Sequence, residues 1–292
     1  MWTGIELLHI LQDIRLDFPF LEGFFLTISS RIFYMILPIL LIMAIMWLYD
    51  KEKGEIIGLG CVSAMITSSI IKLIAAQPRP WVLDPEIQEV SGAHADGYSL
   101  PSGHTTIAAS TYLPMAWLFR KRVLISAAMV IIAVLIMTAR LMLCVHTPLD
   151  IISALLIAVV MSLIAFKATE IGKRGERAYY CISLAYLALF SVMAVFACTY
   201  SNAELKEILQ SSGFFYGFMI GRLVEHRYVG YVVKERNTAQ KIRVYLIGIL
   251  VAAVLLAIPM VAIPVAGTFV GGILMMIWCI GLYPMVMQKK DW

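Results

Sequence analysis

The feature that most constrains this chain is a succession of apolar segments of roughly 20 residues, the length that crosses a bilayer core. Nine can be read, at about 32–49, 55–76, 103–119, 123–143, 149–166, 178–200, 209–223, 243–263 and 265–287. The seventh is short, and the last two are joined by a tight turn at Pro264-Val265. The expected fold class is all-α, a polytopic membrane helix bundle of about nine transmembrane helices. Composition agrees. The 292 residues are 61% hydrophobic and 14% charged, whereas soluble domains run near half apolar and about a quarter charged.

Residues 1–30 differ. Trp2, Leu7, Leu8, Leu11 and Ile14 fit an amphipathic helix interrupted by Asp17 and Pro19, expected to lie on the membrane surface. The segment lacks the positive stretch and small-residue cleavage site of a signal peptide. Of 23 Lys and Arg, 17 fall on one side of the nine-span layout, from Lys51 and Lys53 to Lys289 and Lys290. The positive-inside rule makes that side cytoplasmic and puts the N-terminus outside. The net charge of +4 reports this bias and gives no reason to expect nucleic acid. The cysteines at 61, 144, 181, 198 and 279 lie mostly within spans and read as reduced packing residues. Cys144 reads the same way, although it is two residues from His146.

Several residues do not suit a bland membrane helix. Lys72 lies in an apolar run, where an ionisable group is costly and points to function. It is also near enough to the outer end to snorkel. Arg79 follows seven residues later, so the two share a face if the helix runs to Gln77. Pro78 and Pro80 stiffen its backbone. In the segment from Gly97 to Thr106, Ser102 suits an N-cap, and Gly103 lets a ligand approach the backbone. The helix it opens is a ready anion site. Between spans four and five, Thr147 and Pro148 read as N-cap and first helical residue. That places His146 just before the helix and Asp150 in its first turn, within reach of the imidazole. Such a carboxylate fixes which nitrogen carries the proton. All three segments fall on the outer side. Three cations match the spread charge of a phosphoryl group in transfer. One histidine can attack phosphorus and the other can protonate the leaving oxygen. Either histidine alone reads as a hydrated interface residue; both, beside three cations, read as a site.

These residues resemble the type 2 phosphatidic acid phosphatase family, which is related to vanadium haloperoxidases, bacterial acid phosphatases and glucose-6-phosphatase. Lys72 to Arg79-Pro80, Pro101-Ser102-Gly103-His104, and Arg140, His146 and Asp150 match its three motifs in order and spacing. One departure is Ala139, where the family has Ser; this removes one phosphate hydrogen bond. The resemblance implies a phosphohistidine mechanism. His146 would be the nucleophile, Asp150 its orienting partner, and His104 the general acid and then base. Lys72, Arg79, Ser102, Gly103 and Arg140 would bind phosphate. It implies no metal and no cofactor. Asp84, Glu86, Glu89, His94 and Asp96 fit no standard ligand spacing and read as solvated loop, with His94 an alternative shaper of the entrance.

Residues 1–170 are expected to form the catalytic membrane core with its interfacial segment, and 171–292 additional C-terminal transmembrane helices without a readable motif. The charged loop from Arg222 to Arg243 reads as cytoplasmic or as a contact for anionic headgroups. A nine-span, N-out layout is similar to the glucose-6-phosphatase branch in topology. The expected activity is hydrolysis of a lipid phosphate or pyrophosphate at the outer leaflet of the cell membrane. The alternatives are a soluble phosphoester such as a sugar phosphate, a transporter and a non-catalytic lipid binder. Transporter sites lie near the midplane on broken helices, whereas these charges gather at one interface. The sequence names neither the substrate nor the oligomeric state.

Overall fold

The computed structural model describes residues 4–93, 95, 97–198, 205–263 and 266–289. Its elements are helical, with no strand among the described residues. Two short helices, α1 (Ile5–Asp17) and α2 (Phe20–Ile28), lead through a π-helical turn at Ile32–Ile36 into α3 (Leu37–Leu48). Then come α4 (Lys51–Ala75), the single turn α5 (Pro80–Leu83), α6 (Gly103–Leu118), α7 (Val123–Met142) and α8 (Pro148–Gly172). The rest is α9 (Glu176–Cys198), α10 (Leu205–Val224), α11 (Thr238–Ala262), α12 (Gly267–Ile277) and α13 (Tyr283–Lys289).

All nine apolar segments contain helix, and the molecule is a polytopic helical bundle. Among the described residues, six stretches are long and apolar enough to cross a membrane: Phe20–Leu48, Lys51–Leu83, Val123–Met142, Pro148–Gly172, Thr238–Ala262 and Gly267–Lys289. α6 has only 16 residues, and α10 carries Lys206, Glu207 and Arg222. A count of nine spans therefore stays a reading of the sequence. The first span begins earlier than expected. Phe20–Leu48 forms one apolar stretch of 29 residues, which takes in α2 and leaves α1 alone outside it. Trp2 and the Pro264-Val265 turn lie outside the described residues.

α4 is the central post. It packs against α3, α6, α8 and α10, and its side chains are buried on nearly every face, the polar Glu55, Ser63, Thr67, Ser68, Ser69 and Lys72 included. On α7, α8 and α11, Ile131, Leu156, Leu163, Leu250 and Ile258 are exposed. Such a surface suits a bundle whose solvent is lipid. α10 and α12 approach closely along Gly213, Gly217 and Gly221. A methyl group on Gly217 would meet Ile273 O at 2.6 Å, and one on Gly221 would meet Ile280 Cβ at 2.9 Å. This small-residue stripe lets two backbones touch.

At the end of the bundle where α4 begins, Arg222 pairs with Glu55 and donates to Ser183 Oγ at 3.0 Å, while Lys51 pairs with Glu225 at 2.6 Å. The start of the 222–243 loop is thus used internally, with Arg222 and Glu225 buried. Cys61, Cys144 and Cys279 are buried and, like exposed Cys181, unpaired.

Candidate active site

The three motif segments meet at the end of the bundle opposite that network, stitched together by their backbones. Ser99 N donates to Gln77 O at 2.8 Å, and Ser102 N donates to Asp150 O at 3.2 Å. α4 stops at Ala75, with Ala76 left-handed (φ 43°), two residues before the expected Gln77. Gln77 precedes Pro78, and a residue before proline avoids the helical region. Arg79 therefore reaches the site from extended backbone and does not stack on the face of Lys72. Its Nε donates to Gly97 O at 2.8 Å and its Nη1 to Val145 O at 3.0 Å.

The two helix starts are built as their sequences dictate. Ser102 caps α6, accepting from Thr105 N at 3.4 Å. Thr147 caps α8 in a reciprocal capping box: Asp150 Oδ2 accepts from Thr147 N at 2.8 Å. The same oxygen accepts from Ser99 Oγ at 2.6 Å and lies 3.4 Å from His146 Nδ1. Asp150 is thus held by a helix cap as well as by its histidine.

His146 is almost fully buried. Its Nε2 lies 3.1 Å from Arg79 Nη1. Arginine only donates, so Nε2 carries the lone pair and Nδ1 the proton, facing Asp150. Burial, then Arg79, Arg140 and Lys72, hold this imidazole well below its ordinary pKa. It is neutral near pH 7. His104 is buried with no hydrogen-bond partner on Nε2 among the described residues, and its ring lies 3.7 Å from that of Tyr34. Arg140 donates from Nη1 to Ser29 Oγ at 2.6 Å and to Ala93 O at 2.7 Å, leaving Nε and Nη2 without partners among the described residues. A hydroxyl from α2's C-cap thus sits at Arg140, beside Ala139.

Together these groups border a cavity of about 430 Å³. Of the residues expected from sequence, Lys72, Arg79, Gly103, His104, Arg140 and His146 line it directly. Ser102 and Asp150 lie behind it as a cap and an orienting carboxylate. Several wall residues escaped the sequence reading: Arg31 and Tyr34 before α3, and Lys206, Glu207, Gln210 and Ser211 from α10. Glu207 Oε2 pairs with Lys72 Nζ at 2.8 Å. Ser99 was also missed, although it lies in the segment already suspected.

Outside the cavity, α1 covers the site-bearing loops. His9 Nε2 lies 2.9 Å from Asp84, and Gln12 bonds the backbone of Glu86 and Gln88. The ligand atoms of His9, Asp84 and Glu86 lie within 4.8 Å of one another, a grouping that sequence spacing could not suggest. Asp84's carboxyl is held below its usual range by Glu86 N and His9. His94 and Asp96 lie outside the described residues.

A helical membrane bundle with two histidines and several cations around one cavity at its end defines a class: a polytopic membrane phosphatase, hydrolysing a phosphoric ester or diphosphate. Residues 55–173 match the PAP2 superfamily, and residues 209–290 match the transmembrane extension of PAP2 superfamily phosphatases; the chain belongs to the PAP2 superfamily. It is 27% identical over 142 residues to undecaprenyl-diphosphatase BcrC of Bacillus subtilis (strain 168), a match covering 47% of this chain and 71% of that one. No solved structure matches it.

Proposed function

We propose that the protein hydrolyses a lipid phosphate or diphosphate at the extracytoplasmic face, through a phosphohistidine at His146. The observation that carries this reading is His146 Nε2, set 3.1 Å from Arg79 Nη1 at a cationic cavity. In the first step Nε2 bonds to phosphorus, the bond from phosphorus to the leaving oxygen breaks, and His104 gives that oxygen a proton. In the second, His104 takes a proton from water, whose oxygen bonds to phosphorus as the P–N bond breaks. Orthophosphate leaves and both histidines are restored. Asp150 stabilises the charge that forms on His146. Lys72, Arg79, Arg140 and the Gly103 amide hold the phosphoryl oxygens, whose charge spreads as the bonds change, and Ser102 behind them fixes the start of α6.

A small apolar recess of about 30 Å³ adjoins the cavity, room for no more than the first atoms of a lipid chain. The two share Met35, Met65 and Ile107, and the recess continues along Ile42, Val62, Phe214 and Phe218. The Bacillus subtilis relative's name makes a prenyl diphosphate the first substrate to test. The outer location rests on charge: 17 of 23 basic residues lie on the other side of the nine-span layout.

The mechanism is tested by acid- and alkali-quenched turnover of radiolabelled p-nitrophenyl phosphate, whose leaving group needs little proton help. His104→Ala slows the second step, so an acid-labile, alkali-stable phosphoprotein should accumulate. His146→Ala should form none and lose activity on every substrate. Activity retained by His146→Ala rejects the assignment.

A further inference from the structure

Glu207 stands in the first turn of α10, two residues before the stretch that matches the transmembrane extension begins, and 135 residues from Lys72 in sequence. Its Oε2 accepts from Lys72 Nζ at 2.8 Å. A Cβ built on Gly103, at the start of α6, would lie 3.8 Å from Glu207 Oε1 and 3.9 Å from Lys72 Nζ. The carboxylate therefore occupies the space between a phosphate-binding ammonium and a helix N-terminus, where an anion is favoured. Among the described residues lining the cavity, Arg31, Lys72, Arg79, Arg140 and Lys206 are cations, and Glu207 is the one carboxylate. It is partly exposed, whereas Lys72 is buried.

We propose that Glu207 is a specificity-determining residue that competes with phosphate for Lys72; this rests on the cavity being the phosphate site. A phosphoryl group arriving there must take Lys72 from Glu207 or bear its repulsion. A lipid substrate has an apolar chain to offset that penalty, but free orthophosphate has none. Glu207 thus weakens product binding relative to substrate and retakes Lys72 as the product leaves. α10, which runs on into the transmembrane extension, thus supplies a part of the site that the first 170 residues lack.

The test is binding of inorganic phosphate, and separately orthovanadate, to the purified full-length protein. It is read as the ligand-dependent rise in Tm and as Ki against a lipid diphosphate. Glu207→Gln keeps the shape and removes the charge. It should tighten phosphate about 10-fold, the lower end of one exchanged hydrogen bond to a charged group. Glu207→Ala should tighten it too, and serves if the glutamine variant folds poorly. A residue that merely orients Lys72 would give the opposite sign: weaker phosphate in both variants. Unchanged or weaker binding in the Glu207 variants, with phosphate lost in Lys72→Ala, overturns the proposal and leaves the phosphate site standing. If Lys72→Ala also binds phosphate normally, the reading of the cavity falls with it.

Discussion

At the scale of single residues, His146 is controlled by charges of both signs. Asp150 faces Nδ1 from α8 at 3.4 Å, and Ser99 Oγ lies 3.5 Å from the same nitrogen. Arg79, Arg140 and Lys72 oppose its protonation, after burial itself. A lowered pKa means the neutral form is populated above that pKa and lost as pH falls through it. The acidic limb of kcat/KM, which reports the free enzyme, should therefore lie below about 6.5, the ordinary histidine value. Arg79→Gln removes a cation that lowers the value, so the limb should move to higher pH, whatever the loss in absolute rate. Substrate ionisation is the same for both enzymes and cancels in the comparison. A limb that stays put, or moves lower, would show that it belongs to another group. Ser99 illustrates what a motif omits: its hydroxyl binds Asp150, but serine is too common in loops to be singled out.

At the scale of elements, α10 determines whether Glu207 reaches Lys72. Its seat is the glycine stripe against α12. Gly213, Gly217 and Gly221 recur every four residues, a small-residue spacing that marks close helix packing and that the reading of the sequence passed over. Gly217→Ala would put a methyl group 2.6 Å from Ile273 O and 2.8 Å from Met276 Cβ. It should lower stability by about 1–3 kcal/mol, the usual range for overpacking. Gly23→Ala, in α2, meets nothing within 4 Å and should be neutral or gain up to ~1 kcal/mol from helix propensity. Thermal unfolding of both variants in the same detergent checks the contrast; an equal response would mean α10 and α12 are not tightly seated.

At the scale of the whole molecule, the bundle has two chemically distinct ends. One gathers the cavity at the end of α4, the starts of α6, α8 and α10, and the 143–147 turn. The other gathers Lys51, Glu55, Arg222 and Glu225 in ion pairs. One hydrophobic core runs through both halves of the chain, joining Trp47 and Ile57 to Phe215, Phe218 and Tyr283. Single cysteines replacing exposed Gly92 and Lys173, in a variant without native cysteines, should label from opposite sides of intact cells, Gly92 from outside. Labelling of both from one side would remove the extracytoplasmic assignment.

The apolar segments determined by themselves that this chain is a helical membrane bundle, because a bilayer demands long apolar stretches. Cap chemistry determined the starts of α6 and α8, because Ser102, Thr147 and Asp150 bond within three residues of themselves. Motif spacing brought the histidines and cations of residues 72–150 under suspicion together. Only the tertiary structure decided that Arg79 bonds Gly97, that Ser29 holds Arg140, and that Glu207 meets Lys72. Those contacts join residues 18 to 135 positions apart in sequence. No local periodicity encodes them. They arise from how α2, α4, α7 and α10 pack.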